Sequence, residues 1–90
     1  LQQDMQGVFA AMIDLTKAAK PADRLNAICR NKNRDINTWI AYAEGDYSSN
    51  IGNTAVGKAA RALADSGSVH LFQKLVSVEP RRYTYYAVTR

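Results

Sequence analysis

The sequence predicts an α+β fold that is mostly α, four helices followed by a C-terminal β-hairpin. Two observations carry this. From Leu1 to Gly67 the apolar residues recur mainly at spacings of three and four, the period of one helix face. Beyond Gly67 the period shifts to alternation, and "SVHLFQKLVS" and "RRYTYYAVT" are rich in β-branched and aromatic residues, as strands are.

The first segment, "LQQDMQGVFAAMIDLTKAAK", places Leu1, Met5, Val8, Met12, Leu15 and Ala19 on one stripe, widened by Phe9 and Ile13. Pro21 ends it, because proline has no N–H to continue the ladder, yet proline suits the first turn of a following helix. "PADRLNAICRNK" is therefore read as a second helix with Leu25, Ile28 and Cys29 inward. "DINTWIAYAEG" is read as a third, capped by Asn37, buried through Trp39, Ile40 and Ala43, and ended by Gly45. "DYSSNIGN" is a polar loop. Asn53 or Thr54 caps a fourth helix that buries Val56, Ala59 or Ala60, and Leu63 and ends at Gly67. "VEPRR" joins the two strands as a charged hairpin tip.

An apolar fraction of 47% and a charged fraction of 22% describe a chain that folds rather than one that stays disordered. With one cysteine, Cys29, and one histidine, His70, there is no disulfide within the chain and no zinc or haem ligand set, so no metal or other cofactor is expected. Both residues are read as packing residues, and no catalytic constellation or Walker phosphate loop is present, so the chain is not expected to be an enzyme. No stretch reaches the ~18–20 apolar residues of a membrane span, so no membrane partner is expected and the expected compartment is the cytoplasm.

The net charge is +4 and the pI near 9.5, a balance that favours polyanionic partners. The positive charge falls in two blocks, +5 over residues 16–34 and +4 over residues 58–90. Arg24, Arg30, Lys32 and Arg34 in the first block are read as a solvated helix face.

"PADRLNAICRN", "NTWIAYAEG", "NTAVGKAARALADSGSVHLFQKLV" and "RRYTYYAVT" together resemble the winged helix-turn-helix superfamily. The likeness is clearest where a helix ending "L-x-x-S-G-x-V" passes straight into a two-stranded wing. It implies a winged-helix DNA-binding domain over residues 21–90, to which the helix read over residues 1–20 is an addition, expected to serve dimerisation. It makes Asn53 to Asp65 the recognition helix, with Asn53, Thr54, Lys58 and Arg61 at base edges or phosphates. Gly57 sits between Thr54 and Lys58, where a missing side chain would let the backbone approach DNA at a cost of about 1 kcal/mol of helix stability. Ser48 and Ser49 would donate to phosphate, as would Lys74, Arg81 and Arg82 from the wing.

The function this implies is sequence-specific binding of double-stranded DNA by a small bacterial or phage transcriptional regulator. The apolar stripe Leu1, Met5, Val8, Met12 and Leu15 implies a homodimer. Two other readings stand beside it: a protein-interaction or assembly module, and a replication-type or partition-type DNA binder with weak sequence preference. Tyr83, Tyr85 and Tyr86 add a further thought, since strand aromatics beside basic residues stack single-stranded bases. On an alternating strand Tyr86 faces opposite to the other two, so one set is expected in the core.

Overall fold

The structure is a computed structural model and describes residues 12–46 and 50–90. Met12–Asp14 form a short strand, β1, that ends where the Asp14 carboxylate accepts hydrogen bonds from the Thr16 amide at 2.9 Å and the Thr16 hydroxyl at 2.6 Å. This is an Asx turn, in which the side chain replaces the strand partner that the backbone gives up. Pro21 then opens helix α1, Pro21–Arg30, which buries Leu25 and Cys29.

Asn37 turns the chain in the left-handed region at φ +61°, a conformation asparagine tolerates, and leads into β2, Trp39–Gly45. A single 3-10 turn, Ile51–Asn53, precedes α2, Ala55–Asp65. Thr54 caps α2, its hydroxyl accepting from the Gly57 amide at 3.0 Å. Gly67, at φ +82°, closes it in a Schellman motif, with Gly67 N–H donating to Ala64 O and Ser68 N–H to Leu63 O. The chain then runs straight into β3, Val69–Val78, and returns as β4, Arg81–Thr89.

The strands form one mixed sheet in the order β1-β2-β4-β3, with β1 parallel to β2 and the other pairs antiparallel. Both helices lie on one face. There Leu25 and Cys29 of α1 and Val56, Ala60 and Leu63 of α2 pack with Leu15, Ile40, Tyr42, Val69 and Ala87 into the core. A bulge between Ala41 and Ala43 sets Tyr42 and Ala43 both against Tyr85, keeping the Tyr42 ring in the core. The end of β4 is fastened to the entry of β2: the Thr89 hydroxyl donates to Asp35 O at 2.6 Å and accepts from the Thr38 amide at 2.9 Å.

This is not the mostly-α winged helix-turn-helix that the sequence predicts. The third helix is instead strand β2. Its residues Ile40, Ala41 and Tyr42 are all buried, Ile40 and Tyr42 toward the helices and the small Ala41 beside the larger Trp39 and Tyr86 of the other face, and the bulge at 42–43 shifts the period, so the alternation that marks a half-exposed strand is missing. Asn37 is a left-handed turn residue and not a helix cap. Residues 12–20 of the expected N-terminal helix hold β1, the Thr16–Lys17 turn and irregular chain. Leu15, expected at a dimer interface, is 2% exposed within its own core, whereas Met12 is exposed on β1. Leu1, Met5 and Val8 lie outside the described residues. The hairpin at residues 69–89 agrees with the expectation, but it is part of a four-stranded sheet and not a separate wing.

Candidate functional site

The sheet face turned away from the helices has no element over it among the described residues. Residues directly opposite one another on neighbouring strands share a face, so the register gives its composition row by row. Met12, Trp39, Val88 and His70 form the first row, and Asp14, Ala41, Tyr86 and Phe72 the second. Beyond the bulge in β2, Glu44, Thr84 and Lys74 form the third, followed by Arg82 opposite Ser77.

Three aromatic rings meet on this face. Trp39 stacks on Phe72 with centroids 5.3 Å apart and planes 25° off parallel, and it meets Tyr86 edge-on at 5.4 Å. His70 stands 6.3 Å from Phe72. The small side chain of Ala41, next to Trp39 on this face and opposite Tyr86, leaves room for the indole to lie across the strands. The rings, with Met12, Gln73 and Lys74, line an open concavity of about 410 Å³. Phe72 is 48% exposed and Met12 62% exposed, whereas Trp39 and Tyr86 are half-buried.

This face carries two cations, Lys74 and Arg82, and two carboxylates, Asp14 and Glu44, the latter in the row of Lys74. The aromatic rows lie toward the chain-entry end of β3, and Lys74 and Arg82 lie toward the hairpin tip. The bulge between Leu75 and Ser77 separates the rows of the two cations, and both stand beyond the rings on the same face. Asp14, on the far edge, is engaged by Thr16, whose hydroxyl and amide hold its carboxyl below the usual carboxylate range. Among the described residues no group of three His, Cys, Asp or Glu stands close enough to hold a metal, and no helix is long and apolar enough to cross a membrane.

Of the sequence-predicted DNA contacts, Thr54, Lys58 and Arg61 keep one side of α2, whereas Lys74 and Arg82 lie on the sheet face turned away from the helices. Asn53, Thr54, Lys58 and Arg61 are exposed around α2, and Arg61 pairs with Asp65 at 3.3 Å. Gly57 is buried: a β-carbon there would overlap the Ile51 carbonyl oxygen and come within 2.8 Å of its carbon. Its missing side chain therefore serves the turn before α2, not a close approach to DNA. Ser48 and Ser49 lie outside the described residues. Arg81 is exposed at the hairpin tip, opposite Val78, and only Lys74 and Arg82 belong to the open face.

The expected division of the strand tyrosines holds. Tyr83 is buried and Tyr85 half-buried on the helix side, and Tyr86 takes the open face. The sequence does not single out Trp39 or Phe72 as site residues, since the segment of Trp39 reads as a helix with the indole inward. The H-x-F-x-K alternation of residues 70–74 was the available signal for the rest. No family model, no curated protein and no solved structure matches the chain.

Proposed function

We propose that this chain binds single-stranded nucleic acid on the open face of its sheet, with bases stacking on Trp39, Phe72 and Tyr86 and phosphates held by Lys74 and Arg82. The observation that carries the reading is the meeting of three rings and a lysine in one concavity, on a chain of net charge +4. Every base has a π-face, so a ring platform beside cations accepts a strand with little regard to sequence. This keeps the weakly sequence-dependent binding considered from the sequence and moves it from α2 to the sheet. Double-stranded DNA is the second reading, because α2 does present Lys58 to solvent.

Fluorescence anisotropy with a labelled single strand, and with the duplex of the same sequence, tests both. The single strand should bind more tightly. Phe72→Ala should weaken it by about 5–150-fold, the equivalent of the ~1–3 kcal/mol that one base–aromatic stack contributes. Removing Lys74 and Arg82 together should flatten the slope of log K against log salt by ~1.4. Tighter duplex binding that survives Phe72→Ala and is lost in Lys58→Ala would move the contact to α2.

A further inference from the structure

β3 is an outer strand of the sheet and pairs with β4 alone among the described strands. One row of its N–H and C=O groups is therefore left without a strand beside it. Five of the seven exposed large apolar side chains among the described residues lie on it: Leu71, Phe72, Leu75, Val76 and Val78. Outer strands are ordinarily blunted by several charges, by proline or by shortness. This one runs for ten residues with no acidic residue, no proline and one lysine.

We propose that β3 pairs antiparallel with β3 of a second copy of this chain, about a two-fold axis through Gln73, to give a continuous eight-stranded sheet from two four-stranded ones. The register follows from symmetry and chemistry. A two-fold axis normal to the sheet keeps each residue on its own face, and directly opposed residues must share a face. The axis therefore passes through a residue, never between two. An axis through Lys74 sets lysine against lysine, which is destabilising, and one through Phe72 sets the apolar Leu71 against the amide of Gln73 twice.

The axis through Gln73 sets Leu71 against Leu75 twice on the helix side, where they are 36% and 44% exposed. On the open face it sets Phe72 against Lys74 twice, an arrangement that suits a cation over a ring. The two Gln73 amides meet at the axis, where each can donate to the other. The bulge between Leu75 and Ser77 interrupts regular pairing beyond Leu75, so 71–75 is the longest regular stretch centred on this residue. In this pairing the open faces of the two sheets become one surface, with the two ring concavities on either side of the seam. The inference stands on β3 and does not rest on the nucleic-acid reading.

The test is the mass of the full chain in solution without nucleic acid, by sedimentation and light scattering, together with a cross-link. The wild type should show twice the 10.0 kDa chain mass. Leu75→Lys, which sets a charge against Leu71, should give a monomer with an unchanged circular dichroism spectrum. Gln73→Cys should form an intermolecular disulfide under mild oxidation, since a residue opposite its own copy has Cα atoms ~4.5–5.5 Å apart, within disulfide reach. Glu79→Cys at the hairpin turn should not. The cross-link keeps the proposal testable if Leu75→Lys does not fold. A wild type that stays monomeric to high micromolar concentration overturns the proposal, as does a dimer in which Gln73→Cys links no better than Glu79→Cys.

Discussion

Replacing Gly57 by alanine sets two effects of opposite sign against each other. In an open helix the change stabilises by about 0.8–1.0 kcal/mol, because glycine has more backbone freedom to lose. Here the new β-carbon would overlap the Ile51 carbonyl oxygen and press on Gly52 Cα at 3.1 Å. These are backbone atoms, so relief requires the 3-10 turn to move. The Ile51 carbonyl accepts from the Thr54 amide at 3.0 Å and from the Thr54 hydroxyl at 2.6 Å, and that hydroxyl also caps α2 by accepting from Gly57 N–H.

Displacing the turn weakens two hydrogen bonds of ~0.5–1.5 kcal/mol each and a cap of ~1 kcal/mol. Less the propensity gain, the net loss is about 1–3 kcal/mol. For a domain of this size each kcal/mol lowers Tm by ~4–8 °C, so a fall on the order of 10 °C is expected in thermal melts followed by far-UV circular dichroism. Gly52→Ala, whose β-carbon meets nothing within 4 Å, is the control and should change stability by less than ~0.5 kcal/mol. If Gly57→Ala melts at or above the wild-type temperature, Gly57 lies on an open helix face and the buried-turn explanation is wrong.

Two further outcomes follow from the titrating groups. The Asp14 carboxyl is held low, first by the Thr16 hydroxyl and then by its amide. Because the folded value lies below the unfolded one, the stabilisation is present above the ordinary carboxylate range and is lost as pH falls through the folded value; carboxyl NMR should show the titration moving up in Thr16→Val. Burial pushes the Cys29 thiol up, with the Arg34 charge opposing more weakly. A thiol reagent near pH ~8 should therefore label the native chain only as it opens, far more slowly than the urea-unfolded chain, and equal rates would show an accessible Cys29.

Where one residue type had one local use, the chain could be read directly. Pro21 in the first turn of a helix, a cap at Asn53 or Thr54 that falls to Thr54, Gly67 as a left-handed stop and the alternating hairpin after it all depend on φ, ψ and hydrogen bonds within a few residues. The opposite faces of Tyr85 and Tyr86 follow from the strand period alone. The identity of 39–45 could not be settled that way. Trp-Ile-Ala-Tyr-Ala fits a helix stripe and a bulged central strand equally well, and only the presence of β1 and β4 on either side decides between them.

The ring platform depended on that same decision. Trp39 and Phe72 are 33 positions apart in sequence and belong to strands that do not pair, so they meet only because β4 lies between β2 and β3. Gly57 shows the converse limit, for its need to lack a side chain comes from a turn six residues earlier whose path the helix pattern does not reveal. Local backbone chemistry thus determined where the helices begin and stop and where the hairpin turns. Strand order, which is a matter of long-range pairing and burial, determined which side chains share the open face.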